Sequence, residues 1–152
     1  MKLLERPYAE LRVGDSEGTR GRTITEADVV QWCALTGDWF WVHSDKVRAE
    51  ASPFGARIAP GMLVWAYSAG LGVPPDSNTI VANYGAESMR FTKPVFIGDT
   101  IRLELEILSK TDKRAGQGVV DVRWDVYNQR DEPVCVSVVK ILMGAGAASD
   151  PG

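Results

Sequence analysis

The 152-residue sequence has a single histidine and only two cysteines. Zinc sites draw on several Cys and His at close spacing, so no metal centre is expected, and imidazole chemistry falls to His43 alone. Cys33 and Cys135 lie far apart in apolar surroundings, which predicts buried reduced thiols acting as small hydrophobes. Neither sign of charge dominates: 17 Lys and Arg stand against 20 Asp and Glu, a formal net charge of -3 with the signs intermixed. That leaves no footprint for nucleic acid or an anionic membrane surface. The longest apolar run, Ile58 to Val73, is broken by Pro60 and glycines and is shorter than the ~20 residues a spanning helix needs. The opening MKLLERPYAE lacks the apolar h-region of a secretory signal, so a cytoplasmic location is the expectation. Repeats and low-complexity tracts are also missing.

What is present fits one globular domain. Apolar residues make up 45% and charged residues 24%, which excludes disordered and fibrous classes. The domain is expected to run over 1–143, with 144–152, GAGAASDPG, as a tail too small and polar to add much core. Thr25 precedes Glu26, Ala27 and Asp28 as a helix N-cap with a carboxylate at N3, and Ile24 and Val29 form a hydrophobic staple, predicting a helix from Glu26 to Leu35. Gly37 ends it and opens GDWFWVHSD, expected outside regular helix. DKVRAEAS is helix-compatible for about two turns, and PFGARIAPG reads as a loop. Pro60 and Gly61 then open MLVWAYSAGLG, a helix without charge on any face and hence buried all round.

Beyond it the hydrophobic period changes from about 3.6 to 2. Ile101, Leu103, Leu105 and Ile107 alternate with charged residues, as do Val120, Val122, Trp124 and Val126. Further strands are expected over 78–84, 87–91 and 134–143. The class is α+β: an antiparallel sheet with one apolar face curled around the central apolar helix, a hotdog-like architecture. Its open edge predicts a two-fold homodimer.

The chemistry concentrates in two places. Asp38 and His43 lie five residues apart, a spacing with which a carboxylate and an imidazole can hold and deprotonate one water. The plainer alternative is a turn-capping Asp38 and a partly buried His43 bonded to backbone. Gly61 starts the buried helix, where free N–H groups and the helix dipole suit a developing oxyanion; ordinary Pro-Gly punctuation is the alternative. Trp39, Phe40 and Trp41 flank Asp38 either as packing residues at a dimer contact or core, or as a substrate wall. Arg57, Arg90 and Lys93 are nearby cations.

TGDWFWVHSD, SPFGARIAPGMLVWAYSAGL and NYGAESMRFTKPVFIGDTI together resemble the MaoC-like dehydratase family, which includes (R)-specific enoyl-CoA hydratases and NodN-type proteins. The resemblance extends from Ile24 to Met143. It implies a hotdog-fold dimer that adds water to a 2-enoyl thioester, or removes it from a 3-hydroxyacyl thioester, of CoA or an acyl-carrier protein, with no cofactor or metal. It places the catalytic water on Asp38 and His43, the oxyanion-binding N–H on Gly61, and a serine near the dyad at Ser68. Phe40 and Trp41 stand where hydratases carry Asn-Pro, although NodN-type members also have Trp at the second position, and Pro60 stands where His is common. These departures sustain a second reading, a non-catalytic thioester-binding or heteromeric partner subunit. The absence of Asp or Glu over 62–72 argues against a thioesterase.

Overall fold

The computed structural model describes residues 2–146. The chain runs through β1 (Ser16–Gly18), β2 (Arg22–Thr23), α1 (Glu26–Thr36), α2 (Trp41–Ser44), α3 (Lys46–Glu50), α4 (Gly61–Gly72), β3 (Ile80–Phe91), β4 (Thr100–Arg114), β5 (Gln117–Tyr127) and β6 (Pro133–Met143). The sheet is antiparallel with order β1-β4-β5-β6-β3, and β2 also pairs with β4. The period-2 segments form its centre: Ile101, Leu103, Leu105 and Ile107 of β4 and Val120, Val122, Trp124 and Val126 of β5 are all buried. They share one core with Leu63, Val64 and Leu71 of α4, so the curled sheet holds the apolar helix as the composition implied.

Four boundaries differ from expectation. The strands expected over 78–84 and 87–91 are one strand, β3, whose pairing with β6 is interrupted by irregularities rather than by a turn. The stretch 38–45 is not free of helix: one turn, α2, carries His43. The helix expected in DKVRAEAS is only Lys46–Glu50, opened by the Asp45 side chain accepting from the Arg48 N–H at 3.0 Å. The tail begins later than 144, because Gly144 is buried and exchanges backbone hydrogen bonds with Tyr8 and Thr79. Residues 147–152 of that segment lie outside the described residues.

The cap of α1 is built as the sequence reads. Thr25 Oγ1 accepts from the Asp28 N–H at 3.2 Å, and the Asp28 carboxylate accepts from the Thr25 N–H at 2.8 Å. Gly37, at φ 76°, closes the helix in the left-handed conformation that a side chain would resist. Asp28 also accepts from the Tyr67 hydroxyl of α4 at 2.9 Å and from Arg22 at 3.2 Å, which ties three segments together. Burial alone would raise its carboxyl, but these donors and the Arg22 charge outweigh it and hold the group below its ordinary value.

A depressed folded-state value contributes stability above the unfolded carboxylate range, and that contribution is lost as pH falls through the folded value. Asp28→Asn is therefore expected to cost about 2 kcal/mol at neutral pH, a Tm loss of roughly 4–8 °C. Thermal melts from about pH 7 down to about pH 3 should show the gap to the parent narrowing as pH falls.

Candidate active site

The segment between α1 and α4 folds back so that His43 faces the start of α4. Ser44 Oγ donates to the carbonyls of Trp39 at 2.9 Å and Phe40 at 3.2 Å, closing the one-turn α2 on itself. The Ile58 N–H donates to Val42 O at 3.1 Å, and the Ala59 N–H donates to Val95 O at 2.7 Å. Residues 58–59 thus bridge α2 and the chain leading into β4. Arg57, paired with Glu26 at 2.5 Å, adds a 3.4 Å hydrogen bond to His43 O.

His43 Nδ1 lies 2.7 Å from Ile58 O. A carbonyl can only accept, so Nδ1 carries the proton and the neutral ring keeps its lone pair on Nε2. The imidazole is one wall of a cleft of about 360 Å³, lined among others by Phe54, Ile58, Gly61, Phe91 and Lys93. The lining is chiefly apolar, so a charge developing inside would be poorly screened.

Gly61 is the first residue of α4, and its N-cap, Pro60, supplies no side-chain acceptor. The first turn also lacks an acidic residue. The N–H groups and positive dipole end are therefore turned to the cleft without an internal anion to satisfy them. His43 and Gly61 thus line the same cleft.

The other expected residues sit differently. Asp38 is exposed, its N–H held by Thr36 Oγ1 at 3.2 Å, and its carboxylate accepts no hydrogen bond among the described residues. It lies outside the cleft lining. Its charge, after the larger effect of burial, raises the Cys33 thiol, which places the carboxylate near the end of α1. Trp39 and Phe40 are 53% and 54% exposed and also lie outside the lining, although the Phe40 ring stands edge-on to the His43 ring at 6.1 Å between centroids. Lys93 is paired with Glu132 at 2.5 Å. Among the described residues no group of three or more His, Cys, Asp or Glu could hold a metal, and no helix is long and apolar enough to cross a membrane.

Residues 10–128 match the model of the MaoC like domain. The chain belongs to the MaoC-like family. It is 43% identical over 106 residues to Protein MaoC of Klebsiella aerogenes, covering 70% of this chain but spanning only 32% of that protein. It is 31% identical over 131 residues to 3-hydroxyacyl-thioester dehydratase Z of Mycobacterium tuberculosis, covering 83% of this chain and 84% of the relative. The unliganded structure of R-hydratase PhaJ1 from Pseudomonas aeruginosa superposes with a TM-score of 0.76 at 34% identity, covering 96% of this chain and 94% of that one. The wrapped helix is a hotdog fold.

One residue that the MaoC-like resemblance assigned to the site is turned away from it. Ser68 is fully buried on the sheet side of α4, donates to Trp65 O at 2.6 Å and accepts from Trp124 Nε1 at 2.7 Å. Both hydrogen-bonding roles of its hydroxyl are spent on the core, and Ser137 Oγ extends the network through Trp124 O at 3.1 Å and Trp65 Nε1 at 3.3 Å. Ser68→Ala leaves the buried indole N–H without its partner, which costs about 1–3 kcal/mol. A Tm loss of roughly 2–12 °C with kcat within about threefold of the parent is the expected result of melting and turnover assays.

Sequence reasoning missed Phe54 and Phe91 as lining residues. Loop position hid the first. For Phe91 the only signal is Gly61 itself, a helix-opening residue whose missing Cβ leaves room for an incoming ring.

Proposed function

We propose that this MaoC-like chain is an acyl-thioester hydratase/dehydratase that reversibly adds water across a 2-enoyl-CoA, or carrier-bound enoyl, to give a 3-hydroxyacyl thioester. The observation that carries it is the His43 Nδ1–H bond to Ile58 O, which leaves Nε2 as an acceptor in the cleft shared with the uncapped start of α4. The names of the M. tuberculosis and P. aeruginosa relatives support the same reading.

In hydration, Nε2 takes a proton from water as its oxygen bonds to C3 of the enoyl group. The electron pair of the C2–C3 double bond moves onto the thioester oxygen, which the Gly61 N–H and the α4 dipole stabilise as an enolate. The imidazolium returns the proton to C2, and the second water hydrogen stays in the product hydroxyl. Asp38, outside the cleft lining in the single chain, is given the part of accepting that second O–H by the family resemblance alone. Dehydration is the reverse. The scheme uses only groups of the chain and calls for no metal or cofactor.

The assembly that completes the site is a homodimer. β3 is the edge of the sheet and presents Val81, Tyr84 and Phe91 at 49%, 58% and 48% exposure, with Phe54 beside Phe91 in the cleft lining. A second copy that covers this edge excludes water from the cleft, which Phe91 and Phe54 line.

The test is loss of enoyl-thioester absorbance on short, medium, branched and aromatic 2-enoyl-CoA substrates, with His43→Ala as control. Turnover by the parent and its loss in the control are expected. A folded dimer that binds acyl-CoA yet hydrates no member of the panel would contradict the reading and favour a non-catalytic partner subunit.

A further inference from the structure

Phe91 is the last residue of β3, and its ring lies against Gly61. A Cβ built on Gly61 would stand 2.9 Å from three carbons of that ring, closer than real contacts allow. This contact arises from an irregularity in the edge strand. Glu87 is opposite Val138 and Arg90 is opposite Val136, so three residues of β3 span what two of β6 span. Because side chains alternate across a strand, the extra residue inverts the facing of every later position in β3. Phe91 is thereby set opposite Cys135 and not opposite Val134. Ser88, within the bulge, adopts φ 53°, a left-handed backbone uncommon for a residue with a side chain.

The far side of Phe91 is fixed as well. Thr92 donates its N–H to Val134 O at 3.0 Å and its hydroxyl to Pro133 O at 2.5 Å, and Lys93 pairs with Glu132. Phe91 is nonetheless 48% exposed, with the open side of its ring forming cleft wall. The bulge, the Thr92 anchor and the bare Cα of Gly61 hold an aromatic wall directly beside the oxyanion position.

We propose that Phe91 is a specificity-determining residue that selects enoyl thioesters unsubstituted at C2 over those branched there. The inference rests on the proposed function: if the thioester oxygen is held at the Gly61 N–H, the carbonyl carbon and C2 lie next to Gly61, where the Phe91 ring leaves no room for a methyl group on C2. Substituents at C3 and beyond point along the cleft, away from the ring.

The experiment compares kcat/KM for 2-butenoyl-CoA and 2-methyl-2-butenoyl-CoA in the parent, Phe91→Leu and Phe91→Ala, with dissociation constants for butanoyl-CoA and 2-methylbutanoyl-CoA in parallel. The parent should prefer the unbranched compound by more than about tenfold, the discrimination one methyl group supports in an apolar pocket. That preference should fall by at least about fivefold in Phe91→Ala, with Phe91→Leu between them. A smaller fall in both variants, with native circular dichroism and oligomeric state, overturns the assignment; if Phe91→Ala fails to fold, Phe91→Leu alone decides. Absence of turnover in the parent overturns the hydratase reading, and the affinity ratio then decides the role of Phe91. Binding of neither acyl-CoA overturns both.

Discussion

His43→Ala is expected to lower kcat for enoyl-CoA hydration by roughly 10²–10⁴-fold, the contribution of a positioned general base. The loss should be almost wholly in kcat, because the imidazole acts on water and not on the acyl chain, while Gly61 and the apolar walls continue to bind substrate. His43→Gln separates the two properties of the ring. Its amide can still donate to Ile58 O and preserve the loop, but it offers no basic nitrogen, so it should be as slow as Ala while melting closer to the parent. Asp38→Asn keeps a water acceptor without charge and should be less damaging than the histidine changes. Because both groups act on one water, the double variant should be hardly slower than His43→Ala alone. Steady-state turnover with matched melts checks each statement. Equal losses from His43→Ala and a distant control would remove the base from the mechanism.

The second large effect is on stability. Trp124 is 2% exposed in β5, its ring lies where a Cβ of Gly72 would stand at 2.8 Å, and its indole N–H holds Ser68. Trp124→Ala opens a cavity between sheet and helix and should cost about 3–5 kcal/mol, lowering Tm by roughly 6–20 °C. Trp124→Phe keeps most of the packing but leaves the Ser68 hydroxyl with only its bond to Trp65 O, so its cost should be about 1–2 kcal/mol. Thermal or denaturant unfolding measures both. The same close approach explains why α4 ends in glycine: the missing side chain lets the helix settle onto Leu103 and Trp124.

Much of this fold is legible in the amino-acid sequence. The charge-free helix from Gly61 and the two alternating strands announce a helix wrapped by a half-buried sheet, because period and amphipathicity are local properties of the chain. The Thr25–Asp28 cap is readable for the same reason. β1 and β2 are not, since SEG and RT carry no hydrophobic pattern and exist only because the edge of β4 pairs them. The continuity of β3 is hidden by Gly85 and by the bulge around Ser88, which mimic a turn in sequence but only shift register in space.

At the site, His43 and Gly61 converge in one cleft, but their roles come from contacts that sequence does not encode locally. The tautomer of His43 depends on a carbonyl fifteen residues away. Ser68 sits on the correct helix but on the opposite side, because the Trp124 indole demands a buried acceptor there. Asp38 is singled out by its spacing from His43, but the single chain leaves it exposed and outside the cleft lining. Trp39 and Phe40 are likewise exposed and outside the cleft lining, so neither is a wall of the cleft in the single chain.

The measurement that bears most directly on the account is the protonation of the one imidazole in the chain, by long-range ¹H–¹⁵N correlation of the ¹⁵N-labelled protein above the histidine titration. With a single histidine the signals need no assignment. A proton on Nδ1 and a bare Nε2 that shifts when an acyl-CoA binds is the predicted result. A proton on Nε2, with Nδ1 bare, would contradict the hydrogen bond to Ile58 and with it the base on which the proposed hydration depends.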